Sequence, residues 1–319
     1  MKPRSTMPPF SPAAEIRAVP PAERARVLEM LLPGISPAPL EAALGSLAGP
    51  DGSELFAAYR GERVVGGIYL QRHVGGLCFL TGPQLAAGEA EETRLALLRR
   101  ATECLDAQGV SLTQGLSDSD SGPEAVALAA CGFEAAVVLL YLVSLRGPFP
   151  QEEPRGDFTL EPYQSADWER LAQILQQTYI ATLDCPTLHD DRNPEENLRG
   201  YEATGDSGTR WWRILRHQER DSGCLLLGDF PKFEQLELIY FGIVPDARGS
   251  GLGSNLVRWA QWLAGSLGRE RLVLAVDEQN APAIAIYAAH GFQAWQRRHI
   301  WLRPVRSGSA LESRRERSE

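Results

Sequence analysis

The residues best placed to do chemistry lie in the stretch Leu236-Glu-Leu-Ile-Tyr-Phe-Gly-Ile-Val-Pro-Asp-Ala-Arg-Gly-Ser-Gly-Leu-Gly-Ser-Asn-Leu256. Its first part alternates as a strand does and stops at Pro245. A turn carrying Gly249, Gly251 and Gly253 then leads at once into a helical pattern. Such a turn leaves several backbone N–H groups without partners at the positive end of a helix dipole, and its small residues let an anion reach the backbone. A phosphate suits that place, with Arg248 as a nearby cation. The rival reading is a plain strand-to-helix connection, which three glycines behind an arginine argue against. Two common phosphate loops do not fit. A Walker loop needs Gly-Lys-Ser/Thr and finds no lysine here, and G-x-G-x-x-G begun at Gly249 meets Ser254 where its last glycine belongs.

The elements that must position this turn read as follows. Residues 167–182 have helical apolar spacing (Trp168, Leu171, Ile174, Leu175), and 195–202 form a short second helix after Pro194. Residues 211–215 and 224–227 are strands joined by a polar connection. Then come a strand over 236–244, a helix over 253–267, a strand over 272–276, a helix over 281–290 and a last strand over 294–302. The first half repeats this order through the turn Arg60-Gly-Glu62: strand 77–81, helix 91–108, strand 110–114, helix 124–130, strand 135–145. Pro123-Glu-Ala-Val-Ala-Leu-Ala-Ala-Cys-Gly-Phe133 lies beside Pro282-Ala-Ile-Ala-Ile-Tyr-Ala-Ala-His-Gly-Phe292 at an offset of 159. The same offset pairs Gly109 with Gly268 and Asp118 with Asp277. Several matches in one ungapped register argue for an internal duplication.

Following Ile243-Val-Pro245, the string Arg248-Gly-Ser-Gly-Leu-Gly253 resembles the R-x-x-G-x-G/A pyrophosphate signature of the GCN5-related N-acetyltransferases (GNAT). Asn280, Ala283, Tyr287, Gly291 and Phe292 resemble the N-x-x-A-x-x-x-Y-x-x-x-G-F segment of the same superfamily. The resemblance is specific over about 236–292. It implies an α/β fold (α+β by some schemes) of two tandem acyl-CoA N-acyltransferase-like domains, each a mixed, splayed sheet flanked by helices. It also implies acetyl-CoA as co-substrate, its pyrophosphate on the backbone of Arg248, Gly249, Ser250, Gly251, Leu252, Gly253 and Ser254, with Ile243, Val244, Asn280 and Tyr287 completing the cofactor site. The Ile243 amide, beside a bulge, would polarise the thioester carbonyl, and Tyr287 would protonate the leaving thiolate. Glu237, six residues before Ile243, stands where some members keep a general base. It is otherwise an ordinary polar strand position, as Tyr287 is otherwise a packing residue.

The superfamily commonly walls its acceptor pocket with the loop between the first two helices, here 182–200. Trp211 and Trp212, on opposite faces of a strand, would put one ring in that pocket and one in the core. Cys185, His189, Asp190 and Asp191 match no standard zinc spacing, and no metal is expected. At the 159 offset Glu237 falls on Cys78, Tyr287 on Leu128 and Asn280 on Ser121, and Gly88-Glu-Ala-Glu-Glu92 replaces the glycine turn. Its carboxylates satisfy the helix dipole themselves and would repel a pyrophosphate. The first half therefore reads as a degenerate copy that buttresses the second by sheet pairing or shapes the acceptor cleft.

The chain's 319 residues exceed what one core usually organises. The expected division is a tail over 1–14, a degenerate domain over 15–146, a linker of three prolines and two glycines over 147–157, a catalytic domain over 158–305 and a tail over 306–319. A net charge of -9 argues against a general nucleic-acid partner, because phosphate backbones are held by clustered cations. The longest apolar run, 135–145, is too short for a bilayer, and 1–12 has no apolar signal core. Five scattered cysteines without C-x-x-C suit a reducing cytoplasm. The expected activity is acetyl transfer to a primary amine on a small molecule. A regulatory acyl-CoA-binding module without turnover, or a protein or peptide amine acetyltransferase, are the alternatives. The tandem architecture also resembles the mycothiol synthases, though likeness of fold does not name an acceptor.

Overall fold

The computed structural model describes residues 13–33, 37–49, 52–73, 76–185, 194–202, 204 and 207–304. These described residues gather into two compact units, one drawn from 1–135 with 299–319 and one from 136–298.

In the first unit the strands β1 (Glu15–Ala18), β2 (Glu54–Arg60), β3 (Arg63–His73), β4 (Leu77–Leu85) and β5 (Leu112–Ser117) lie side by side in that order. The sixth strand comes from the chain's far end, since residues 299–304 of β12 (Gln293–Pro304) pair antiparallel with β5. Helices α1 (Arg24–Leu31) and α2 (Pro37–Ala48) cover one core, which holds Leu28, Leu55 and Tyr69. Helices α3 (Glu91–Ala107) and α4 (Pro123–Ala130) cover another, with Ile68, Leu97 and Leu128.

The second unit orders its strands β6 (Glu134–Leu145), β11 (Arg271–Asp277), β10 (Gln235–Ile243), β9 (Arg220–Phe230), β8 (Arg213–His217) and β7 (Thr159–Pro162). Helices α5 (Trp168–Tyr179) and α6 (Pro194–Glu202) belong to this unit, as do α7 (Leu252–Ser266) and α8 (Ala281–Ala289). In α5, Leu171, Ile174, Leu175 and Thr178 recur at helical spacing and are all buried. Leu171 and Leu175 pack with Leu198 of α6 and with Trp212, Ile214 and Leu226. On the opposite face α7 buries Leu256, Val257 and Ala260 against Leu236, Leu272 and Leu274. Strand β9 is covered on both faces and accordingly reads as a near-continuous buried run.

The duplication is visible in the strand limits. Glu134–Leu145 and Gln293–Pro304 stand 159 residues apart at both ends, and these two are the strands exchanged. Residues 139–145 of β6, read from the sequence as closing the first half, pair with β11 in the second unit. The compact units thus differ from the contiguous halves expected, because equivalent strands have traded sheets. The trade is fixed by specific contacts. Trp301 Nε1 donates to Ser117 Oγ at 2.8 Å inside the first unit, and Arg303 grips Asp106 at 2.7 and 2.8 Å. The segment expected as a linker is anchored too: Phe149 is buried in the core under α7, and Glu153 accepts a bond from Trp259 Nε1.

Candidate active site

Strands β10 and β11 run parallel and pair only from Gln235–Leu238 to Arg271–Leu274. Beyond that point the register of β10 against β9 shifts between Leu238 and Tyr240. A bulge adds one residue and so reverses which face the following side chains take. Leu238 lies in the core under α7 and Tyr240 in the core under α5, while Phe241 and Ile243 return to the α7 side. The bulge therefore sits at Ile239, four residues earlier than expected. Past it, β10 keeps only β9 and β11 keeps only β6, and the parted strands open a cleft of about 370 Å³.

The glycine turn stands at the mouth of this cleft. Gly249 and Gly251 have φ of 77° and 83°, the region where a side chain is strained, and nothing lies within 4 Å of a Cβ built on either. Gly251 is the N-cap of α7, and the first intrahelical bond is Asn255 N to Gly251 O. The amides of Leu252, Gly253 and Ser254 thus open the first turn with no intrahelical carbonyl to reach, at the dipole's positive end. Gly253 serves packing, because a Cβ there would meet Ile286 of α8 at 3.0 Å. Ser250 turns inward, donating to Ala247 O at 2.6 Å.

Several expected ligands of the cofactor are already committed within the protein. The Arg248 guanidinium donates to the carbonyls of Thr178, Ile180, Ala181 and Ile243 at 2.9 to 3.1 Å. It therefore closes the C-terminus of α5, whose last carbonyls lack helical donors, instead of standing free as a cation for phosphate. Val244 N donates to Ser222 O and does not line the cleft. Asn280 caps α8, its Oδ1 accepting from Ala283 N at 3.3 Å while its side chain also bonds to Asp184. Ile243 lines the cleft with its side chain.

Tyr287 lies on α8 among Phe241 and Phe292, with ring centroids 6.1 and 5.4 Å away, and lines the cleft. Its hydroxyl has no protein partner among the described residues, and burial pushes its proton affinity well up. Glu237 is half-buried on the face opposite α7 and is not among the cleft-lining residues. Burial alone raises its pKa. The two tryptophans precede β8, and neither lines the cleft: Trp212 is fully buried under α5, and Trp211 packs toward the α7 side. Of the loop expected to wall the acceptor, Thr182, Leu183 and Asp184 line the cleft. Cys185 is buried, and its amide donates to Asp277 Oδ2 at 3.1 Å. His189, Asp190 and Asp191 lie outside the described residues.

Two features escaped the sequence reading. Ser254 Oγ meets His290 Nε2 at 2.6 Å, and burial, with Arg258 nearby, lowers the imidazole's pKa. The bond fixes the serine beside the helix start. Asp184 was hidden in a polar loop. The only signal was its place in the segment named for acceptor selection.

The first unit supplies the counterpart. Parallel pairing of β4 with β5 likewise stops after three residues, Leu77–Phe79 with Leu112–Gln114. At the start of α3, however, Glu89 takes both donors of Arg60 at 3.0 and 2.7 Å and Thr93 Oγ1 at 2.6 Å. Its pKa falls to about 2, chiefly through Arg60.

Residues 168–292 match the acetyltransferase (GNAT) family. Mycothiol acetyltransferases of Pseudarthrobacter chlorophenolicus and Jonesia denitrificans are 33% and 34% identical over 72 and 83 residues. These segments are 23% and 26% of this chain and 22% and 26% of the relatives, so the chain spans about a quarter of the length of the curated relatives it matches. A GCN5-related N-acetyltransferase from Sphaerobacter thermophilus superposes with a TM-score of 0.69 at 14% identity, over 94% of this chain and 98% of that one. A tandem GNAT protein from the clavulanic acid biosynthesis pathway superposes with a TM-score of 0.60 at 17% identity, over 92% and 98%. At such identities the structural likeness carries the fold. Residues 168–292 thus match the GNAT family, and the chain shares its fold with GNAT proteins, a tandem one among them.

Proposed function

We propose that the second unit transfers an acetyl group from acetyl-CoA to a primary amine on a small molecule. The observation that carries this reading is the open glycine turn at the mouth of a splayed cleft that Tyr287 also lines. The turn fits a pyrophosphate: no Cβ fills it, and the amides of 252–254 lack helical partners. Backbone amides over 249–254, and not the Arg248 side chain, would hold the phosphates, with Asn280 and Tyr287 along the CoA arm. The thioester would then lie between β10 and β11, where the Ile243 amide polarises its carbonyl.

The amine nitrogen bonds to the acetyl carbon, the C–S bond breaks, the thiolate takes the Tyr287 hydroxyl proton, and the proton that the nitrogen sheds as the amide forms returns to the Tyr287 oxygen through water. The proton that leaves the acceptor ammonium before attack passes through water to Glu237, whose pKa burial raises. The mycothiol acetyltransferase relatives favour a small acceptor over a protein one. Five cysteines scattered along the chain without a C-x-x-C suit a reducing compartment, the cytoplasm.

Acetyl-CoA should stabilise the protein by about 2.7 kcal/mol at a hundredfold excess over its Kd, while acetate and adenosine should not. Thiol release with a panel of amines should then identify turnover, which Glu237→Gln should lower on the order of a hundredfold without changing acetyl-CoA affinity. A protein that acetyl-CoA does not stabilise would sink the reading. Unchanged turnover in the Gln variant would move the base elsewhere.

A further inference from the structure

Asp184 is a half-buried carboxylate that lines the cleft, which Glu237 does not. Its Oδ1 accepts from Asp277 N at 3.1 Å, and its side chain bonds to Asn280. Both donors are neutral. Among the described residues the groups that face it are Asp277 of β11, Tyr287 of α8, Tyr201 of α6 and Tyr240 of β10, and none of these is a cation. Arg248, which also lines the cleft, is held by four backbone carbonyls. A partly desolvated carboxylate held by neutral donors alone lacks the counter-charge that buried carboxylates ordinarily take.

We propose that Asp184 is the carboxylate that receives the acceptor's ammonium group, so that the cleft selects an acceptor arriving as a cation. The role rests on the acetyl-transfer reading above and deepens it. Asp184 docks the ammonium by charge, whereas the water-linked Glu237 takes the proton. Placement of Asp184 on β11 and α8 through Asp277 N and Asn280 fixes its carboxylate against the cleft wall, and a fixed charge discriminates better than a mobile one. Burial, with Asp277 adding to it, raises the Asp184 pKa, the direction expected of a carboxylate waiting for a cation.

The test uses the full chain saturated with CoA and two probes of like shape, n-butylamine, a cation at neutral pH, and O-propylhydroxylamine, neutral there. Calorimetry should show the cation held about tenfold tighter or more by the native protein. Asp184→Asn, which keeps the acceptor for Asp277 N, should abolish that preference with CoA affinity unchanged, and Asp184→Glu should restore part of it. A merely structural aspartate would move both probes alike. Equal affinity for the two probes in the native protein, binding of neither, or a preference that survives Asp184→Asn overturns the proposal. Should the Asn variant not fold, the native protein decides: its affinity for n-butylamine, a cation throughout, must fall as pH drops through the raised range of Asp184, and an affinity unchanged on acidification is equally fatal. Failure of CoA itself to bind would overturn the acetyl-transfer reading and this role together.

Discussion

The two units open the same gap between two parallel strands and start a helix at its mouth, yet they furnish that helix start in opposite ways. In the second unit Gly249 and Gly251 leave space and unpaired amides. In the first, Glu89 brings a carboxylate to the start of α3 and Arg60 locks it there. The first unit thus carries its own anion where the second leaves room for one. Further in, Leu128, fully buried, stands where the second unit has Tyr287, and a Cβ on Gly115 would meet it at 3.1 Å. Cys78 stands for Glu237, its thiol pushed up to about 12 by burial. Splay and helix dipole come with the fold; whether a ligand enters depends on a handful of side chains at the turn and on the wall.

The sharpest way to break this comparison is at Tyr287, where the duplicate already carries an apolar residue. Phenylalanine keeps the ring contacts with Phe241 and Phe292 and removes a hydroxyl that has no protein partner among the described residues. Stability should therefore hardly change. If the hydroxyl protonates the thiolate, kcat should fall roughly tenfold to ten-thousandfold with the acetyl-CoA Kd unchanged. Full turnover in Tyr287→Phe would make the two units alike here, both using the position for packing.

Next in size is the turn. Gly251→Asp gives the second unit the carboxylate that the first already has, at a residue whose φ of 83° also strains any side chain. The stabilisation of about 2.7 kcal/mol expected at a hundredfold excess of acetyl-CoA should disappear. Calorimetry on the unaltered chain should return one acetyl-CoA per chain. A thermal shift that survives Gly251→Asp, or a stoichiometry of two, would erase the distinction between the units.

Much of this contrast was legible in the sequence because it is written in local residues: three glycines against three glutamates, a tyrosine against a leucine, at one offset. Helices α5, α7 and α8 were readable from apolar period, Pro282 and the glycine turn, and the observed ends fall within three residues of those read. What was not legible depends on partners far apart in the chain. Arg248 looked like a free cation because nothing local reveals that α5 ends beside it. The bulge at Ile239 is a mismatch between two strands, and neither strand alone encodes it. The exchange of β6 and β12 was hidden by the duplication itself, since two strands of matching pattern suit either sheet, and contacts such as Trp301 to Ser117 decide between them.

The smallest effect belongs to the first unit. Glu89→Gln removes the anion but keeps the shape at the start of α3. Because the Arg60 side chain keeps 28% of its exposure, screening limits the loss to about 1 kcal/mol, a fall in Tm of about 2–4 °C. The direction with pH is fixed by the lowered pKa of Glu89, from 4.5 to about 2. A carboxylate that ionises more readily in the folded state stabilises fully above its unfolded pKa and loses that contribution as pH falls through its folded one. The native and Glu89→Gln proteins should therefore differ most above about pH 4.5 and converge toward about pH 2 in acid unfolding followed by circular dichroism. The variant should still bind one acetyl-CoA, because Glu91, paired with Arg94 at 2.6 Å, and Glu92 remain at the same helix start. A second acetyl-CoA bound by Glu89→Gln would mean that one carboxylate alone separates the two units, and that the first is a site held shut by Glu89 and not a site lost.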